Sequence, residues 1–440
     1  MARTRICIVG GGSYNWSPIL LTDLAAARDL SGTVVLHDIN PRALEEIQQL
    51  GRRIMAAAGA AFEVEASTDL EESLRGAEYV IVTITTGGLE AMRHDLEIPL
   101  KYGIYQSVGD TVGPGGLSRA LRNIPVMVNI ARAMEKVCPD AWLLNITNPM
   151  TTLTRAVTKA TRIKAMGLCH ELFGVRSTLM KMFDASVEEL EMRVAGINHL
   201  IWLLDLKIRG EDGFELIREY VRSGRSIPLK STSGGARAPF QDRWQVKLAL
   251  FEAYGCLPAA GDRHVAEFFP YFLTEESRAG EEYGVLLTRI EHRQELLREK
   301  RALVRAWLDG TQPLPLQPSA EAVADIISAM ANHRTLRTIL NLPNQGQIDS
   351  LPREAVVETL GLAGPTGAHG ISVGAVPPGV LGTIYPHVIN QELIVDAALT
   401  GDRQLALQAL IGDPLVRDLR SAGPMLEELL RAHAADLPQF

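Results

Sequence analysis

Short apolar runs alternate with longer amphipathic stretches from the first residues onward. Residues 5 to 9 (Arg-Ile-Cys-Ile-Val) form a β-leaning run that stops at Gly10-Gly11-Gly12-Ser13, the pattern of a buried strand entering a tight turn. Ser17-Pro18 then supplies a helix cap and first helical position, Leu20, Leu21 and Leu24 an apolar face, and Ser31-Gly32 a stop. Thr33 to His37 reads as a second strand ending at Asp38. A short capped helix over 68–76 follows, and a dense β run from Tyr79 to Ile84 closes at Thr85-Thr86-Gly87-Gly88. Residues 117 to 136 place Leu117, Leu121, Ile124, Val128, Ala131 and Met134 near one stripe, and Trp142 to Thr147 is a further strand ending at Asn148-Pro149. This alternation predicts an α/β fold with a doubly wound, Rossmann-like parallel sheet. The 440 residues leave room for a second unit, so the expected division is 1–165 for a nucleotide-binding domain and 166–440 for a mixed α+β catalytic domain.

The order strand, glycine turn, helix, strand, acid has a chemical use. Gly10 and Gly12 let backbone N–H groups and Ser13 approach a pyrophosphate at a helix N-terminus, while Asp38 accepts hydrogen bonds from adenosine ribose hydroxyls. An acid at that point repels a 2′-phosphate, which favours NAD over NADP. The full G-x-G-x-x-G pattern would need glycine at Asn15, and a glycine turn without a ligand is the plainer alternative. Thr85 and Gly87 sit at the carboxyl end of a predicted parallel strand, where ligands of such sheets bind.

Composition narrows the class. Lys plus Arg is 44 against 52 for Asp plus Glu, a formal charge of −8, which argues against a nucleic-acid footprint or a polybasic membrane patch. Four scattered cysteines do not make a disulfide framework, so a reducing, cytoplasmic location is expected, and the N-terminal apolar run is too short for a signal peptide. Residues 359 to 391 carry no Asp, Glu, Lys or Arg. Seven Gly and four Pro interrupt that stretch, which therefore reads as turns and short strands rather than a membrane span.

Two segments at the start of the second expected domain end in ligand-type residues: Cys169-His170-Glu171 after an apolar run, and Asn198-His199 after Val194 to Ile197. A thiolate at Cys169 and an imidazole at His199 suit a divalent metal if their segments converge; otherwise they are a buried thiol and a hydrogen-bonded histidine. Tyr254 to Pro258 precedes Gly261-Asp262-Arg263-His264 and Glu267-Phe268-Phe269-Pro270, a mixture of titratable, turn and aromatic residues suited to a substrate loop. The plainer reading there is a solvated turn with Asp262 paired to Arg263.

Taken together, Gly10-Gly11-Gly12-Ser13, Gly113-Pro114-Gly115-Gly116 leading into Ser118-Arg119-Ala120-Leu121-Arg122, Asn148-Pro149, Cys169-His170 and Gly196-Ile197-Asn198-His199 resemble glycoside hydrolase family four. The run from Gln391-Glu392 to Asp413-Pro414-Leu415 extends the resemblance through most of the chain. It implies a fold of the lactate/malate dehydrogenase-like superfamily, NAD and a divalent ion, usually manganese, and cleavage by transient oxidation. In that chemistry hydride leaves sugar C3, a base takes the acidified C2 proton, the aglycone is eliminated from C1, water adds, and hydride returns. The resemblance further implies Cys169 and His199 as metal ligands, Asn148 and Arg263 as substrate contacts, and Asp262 as the C2 base with Tyr254 as the alternative. The residue after the metal cysteine is His170 rather than the Asp or Asn of phosphosugar branches. The implied substrate is thus an unphosphorylated α-glucoside, α-galactoside or α-hexuronide, with His170 as leaving-group acid, metal-side donor or structural residue. A homodimer or homotetramer is expected. The competing readings are an NAD-dependent 2-hydroxyacid dehydrogenase and an NAD-binding protein without catalysis.

Overall fold

The computed structural model describes residues 1–229 and 235–440. Its core is one 13-stranded sheet, built from β1 (Ala2–Val9), β2 (Leu30–His37), β3 (Ala61–Ser67), β4 (Tyr79–Val82), β5 (Trp142–Asn145), β6 (Lys164–Gly167), β7 (Leu190–Ile197), β8 (Leu200–Ile208), β9 (Glu211–Asp212), β10 (Leu257–Pro258), β11 (Leu336–Pro343), β12 (Val356–Gly364) and β13 (Gly367–Gly370). The first six pair in parallel in the order β3-β2-β1-β4-β5-β6, as the alternating pattern predicts. In β1, Ile6, Cys7 and Ile8 are all fully buried, because helices cover both faces and the strand reads as a continuous apolar run. Edge strand β3 instead alternates buried Phe62 and Val64 with exposed Glu63 and Glu65.

Beyond β6 the sheet turns antiparallel. β11 joins β6 at Asn341 opposite Gly167, and β12, β7 and β8 continue outward from it. The 165/166 division therefore falls at the entrance to β6, inside the hydrogen-bonded sheet. The chain then returns: Val323 and Ile327 pack beside Ile6, Leu20 and Ile47, while Ile394, Leu410 and Leu429 pack beside Val80, Leu121 and Leu143 on the opposite face. Both faces of the parallel half are thus covered in part by residues from the end of the chain.

Three local expectations change. The first helix begins at Trp16, and it is the Ser13 hydroxyl that accepts the Trp16 N–H at 3.1 Å, so Ser13 and not Ser17 serves its first turn. The helix expected from 117 starts at Gly113, since Pro114 fits the first turn. There Gly115 and Gly116 allow close approach: a Cβ on Gly116 would lie 2.5 Å from the Thr111 backbone. In the charge-free stretch, β12 and β13 are followed from Pro378 by a 23-residue helix to Thr400, because Pro378 also occupies a first turn, where no N–H is needed. No helix among the described residues is long and apolar enough to cross a membrane.

Between the Gly88–Lys101 and Gly113–Val137 helices lies a fully buried ion pair, Arg122 to Asp95, made through two 2.7 Å hydrogen bonds. His433, from the C-terminal end, reaches the same carboxylate at 3.2 Å. Arg122→Met strands the Asp95 charge in the core and is expected to cost about 3–5 kcal/mol of stability, read as a lower urea midpoint; an unchanged midpoint contradicts this.

Candidate active site

The carboxyl ends of the parallel strands converge on one edge of the sheet. At the end of β1, the Gly10 and Gly11 N–H groups donate to the His37 carbonyl at 2.9 and 2.8 Å, which closes the glycine turn against the end of β2. Gly10 adopts φ +89°, and a Cβ there would lie 1.9 Å from the Thr83 carbonyl oxygen, so only glycine fits. Asp38 accepts the Gly12 N–H on one oxygen and the Asn40 N–H on the other, both at 2.9 Å. The predicted glycine–acid unit is therefore assembled, and each Asp38 oxygen retains acceptor capacity for a hydroxyl. Thr85, after β4, accepts from the Arg119 guanidinium at 3.3 Å. Gly87, at φ +76°, caps the Gly88–Lys101 helix and packs against Ala91 and Asp436, which gives it a loop-shaping role beside the cavity. After β5, Asn148 precedes a cis peptide bond to Pro149. Its backbone carbonyl accepts from Arg119 Nε at 2.9 Å, while its side-chain Oδ1 is buried without a partner.

These loops open on a cavity of about 690 Å³ lined by Ser13, Thr85, Asn148, His170, Glu171 and Arg263 among others. On its inner wall Asp110, His199 and His264 each present a donor atom, all within 4.8 Å of one another. His199 is the second residue of the two-residue turn between β7 and β8 and is held at φ +68°, an uncommon conformation for histidine that the hairpin imposes. Its Nδ1 pairs with the Thr111 hydroxyl at 2.8 Å, and its ring stacks on His264 with centroids 3.8 Å apart. Burial holds both imidazoles below the usual histidine pKa, His264 well below, so both are neutral ligands at neutral pH. Burial opposes ionisation of Asp110, but the Arg293 and Arg119 guanidiniums outweigh it and hold the carboxyl below the usual range. Two neutral imidazoles and a carboxylate, with His264 Nδ1 buried and unpartnered, make a donor set suited to a divalent first-row ion such as manganese. The bond from His199 to Thr111 is the kind of outer contact that orients a ligating histidine.

Of the expected metal pair, His199 is in this group and Cys169 is not. The Cys169 thiol is buried beside Asn198 and Glu358, outside the cavity lining, and burial first, then Glu358 and Glu171, push its pKa well up. Asp262, the expected base, is engaged by its own neighbours. Its carboxylate is buried, accepts the Val246 and Lys247 N–H groups at 3.2 and 3.1 Å, and pairs with Lys247 Nζ at 2.9 Å. It anchors the Gln245–Tyr254 helix and does not line the cavity. Tyr254 is likewise outside the lining, packed on Trp202 with its hydroxyl toward Tyr271. His170 does line the cavity: Glu321 bonds its Nδ1 at 3.1 Å, and this contact, against the opposing effect of burial, brings its pKa to about 9. Arg263 lines it too, stacked on Phe240.

Several lining residues carried no assigned role in the sequence. Asp110 lies in a loop without periodicity, and Arg293 on a helix where Glu291, Glu295 and Arg298 read as an ordinary solvated face. Glu171 and His264 are embedded in segments that already looked functional, each two residues from an expected site residue, Cys169 and Asp262. The Glu171 Oε2 accepts the Gly261 N–H at 2.6 Å, while Oε1 is 3.8 Å from His264 Nε2. Burial alone would raise its pKa, but the cationic His170, with the Gly261 N–H and Arg263, outweighs this and holds the carboxyl below its usual range.

The chain is similar to known proteins along most of its length. Residues 5–185 match the model for family 4 glycosyl hydrolase and residues 194–416 that for the family 4 glycosyl hydrolase C-terminal domain. An alpha-galacturonidase of Bacillus subtilis is 36% identical over 436 residues, covering 96% of each chain. The crystal structure of the putative glucosidase LplD from Bacillus subtilis superposes with a TM-score of 0.91 at 36% identity, covering 98% of this chain and 100% of that one. The 6-phospho-beta glucosidase from Thermotoga maritima, solved with manganese, NAD+ and glucose-6-phosphate, gives 0.79 at 25% identity over 98% of both chains.

Asp110→Asn and His264→Ala are each expected to weaken manganese(II) binding at least tenfold, followed by the electron paramagnetic resonance of the free ion. A larger loss in Cys169→Ser than in either would return the thiol to the ion.

Proposed function

This chain belongs to family 4 of the glycosyl hydrolases, and we propose on that basis that it hydrolyses α-linked galacturonides, with NAD and a divalent ion, manganese foremost, as cofactors. The observation that carries the choice of sugar is the charge of the cavity. Arg119, Arg263 and Arg293 all line it, and none forms an ion pair among the described residues. Arg119 donates to the Asn148 carbonyl and the Thr85 hydroxyl, Arg263 to the Thr288 hydroxyl, and Arg293 to the Val108 carbonyl, with Arg293 Nε buried and unsatisfied. Burial and the neighbouring guanidiniums, offset only partly by Asp110, lower the Arg293 pKa to about 10. A buried guanidinium without a carboxylate partner is stabilised by an anion, and the C6 carboxylate of a hexuronide supplies one that a neutral hexose lacks. Relatives of this size and coverage carry the name alpha-galacturonidase, which points the same way.

The residues divide the work by position. Gly10, Gly12 and Ser13 would cradle the dinucleotide pyrophosphate and Asp38 its adenosine ribose, which directs the nicotinamide toward Thr85 and Asn148. When bound, the nicotinamide exchanges a hydride with the sugar and the divalent ion polarises the sugar oxygens. Asp110, His199 and His264 would hold the ion, and Asn148, through its unpartnered Oδ1, would accept a sugar hydroxyl. For removal of the C2 proton, the cavity offers two further carboxylates. Asp242 spends both oxygens on Lys247 Nζ at 2.7 and 2.8 Å, whereas Glu171 keeps Oε1 out of any hydrogen bond. We therefore assign the base to Glu171. His170, cationic at neutral pH through Glu321 and half exposed at the cavity, is placed to donate a proton to the leaving group.

A panel of aryl α-galacturonides, α-galactosides and α-glucosides with NAD and manganese tests the substrate: the uronide should give the highest kcat/KM, and faster turnover of a neutral hexoside refutes the choice. Arg293→Met should lower kcat/KM for the uronide about 10- to 100-fold more than for the galactoside, the value of a lost charged hydrogen bond; equal losses on both remove its link to the carboxylate. Glu171→Gln should abolish exchange of the C2 hydrogen with deuterated water and slow turnover about 10²- to 10⁴-fold, and exchange at the wild-type rate excludes it as the base.

A further inference from the structure

We propose that Glu267 is the positioning residue of the ion-binding group, setting Asp110 against His264. This rests on the assignment of Asp110, His199 and His264 as donors. Glu267 is fully buried on the Ala266–Phe268 turn, which continues directly from the Asp262–Val265 helix that carries Arg263 and His264. Its Oε1 accepts the Val108 and Gly109 N–H groups at 2.7 and 2.8 Å, the two amides immediately ahead of Asp110. One side-chain oxygen thus ties the loop of one donor to the segment of another, across more than 150 residues of sequence.

The contacts around it act in the same sense. The Ser107 hydroxyl donates to the Arg263 carbonyl, and Arg293 Nη2 donates to the Val108 carbonyl at 3.1 Å. From the other side the glycines of the Gly113–Val137 helix press on the same loop, where a Cβ on Gly115 would lie 2.8 Å from the Gly109 carbonyl oxygen. The loop is clamped between that helix and Glu267, so the place of Asp110 depends on both. Glu267 itself is absent from the cavity lining and from the donor group. Its work requires an acceptor oxygen of the right reach, and not a negative charge.

That distinction gives the test. Full-length wild type, Glu267→Met, Glu267→Gln, Glu267→Asp and Asp110→Asn are titrated with manganese(II) alone, and the free ion is read by electron paramagnetic resonance, with thermal unfolding as the control for folding. Glu267→Met should bind the ion 10- to 100-fold more weakly, the range found for outer contacts of metal ligands. Glu267→Gln, which keeps the acceptor, should stay within threefold of wild type. Glu267→Asp keeps the charge but draws the oxygen back by one methylene, and should bind at least threefold more weakly than Glu267→Gln. Wild-type affinity in Glu267→Met, alongside a loss in Asp110→Asn, overturns the role of Glu267 and leaves the donor group standing. Should Glu267→Met not fold, Glu267→Asp binding as well as or better than Glu267→Gln overturns it. Wild-type affinity in Asp110→Asn, or no binding by the wild type, removes the donor group and this proposal with it.

Discussion

Three guanidinium groups, those of Arg119, Arg263 and Arg293, share the influence of one carboxylate, that of Asp110, at the carboxyl edge of the sheet. Burial lowers the pKa of Arg119, Arg263 and Arg293 alike, and Arg263 and Arg119 lower that of Arg293 further. The Asp110 charge acts against this at all three, and Arg293 and Arg119 in turn hold the Asp110 carboxyl below its usual range. The two effects are one interaction seen from either side. Protonating Asp110 would release the arginines from their common focus and remove the anionic member of the donor group at once.

The backbone is shaped to permit that concentration of charge. Glycine at positions 115 and 116 brings a helix against the Asp110 loop from one side, and Glu267 binds the loop's amides from the other. The β7–β8 hairpin turns within two residues and thereby forces His199 to φ +68°, with Thr111 and the His264 ring fixing the imidazole. Such strain persists only where surrounding contacts determine the conformation. Here they come from segments far apart in the chain, so the site is a product of the completed fold.

The parallel half was legible in the sequence because its physics is local. A strand buried on both faces must be continuously apolar, as in Ile6 to Val9 and Tyr79 to Val82, and the glycine turn and Asp38 follow directly from such a strand. The helix from Pro378 was hidden because glycine and proline normally end helices, whereas here Pro378 lies in the first turn, where a helix tolerates it, and the helix continues through Gly379, Gly382 and Pro386. In the site, His199, Asn148 and Arg263 stood out at the ends of apolar runs or in a loop rich in titratable residues. Asp110 and Arg293 did not, since the first lies in an aperiodic loop and the second is one charge among many on its helix. Asp262 and Tyr254 looked equally chemical, and only their contacts with Lys247, Trp202 and Tyr271 show that these side chains are already engaged elsewhere.

The unbroken sheet carries a mechanical consequence. Strands β4, β5 and β6, whose ends present Thr85, Asn148 and His170, are hydrogen-bonded through β11 and β12 to β7, whose end presents His199. Neighbouring strands sit about 4.8 Å apart, so the span from the glycine turn to the histidine hairpin is a fixed number of strand widths. Helices from the last 120 residues, Val323–Ala331 on one face and those from Pro378 onward on the other, are laid across the parallel strands and brace that span further. Among the described residues the sheet thus runs without a break from the glycine turn to the histidine hairpin. Access to the cavity is a matter of loops at the rim, while the ruler that separates the glycine turn from the histidine hairpin is the sheet itself.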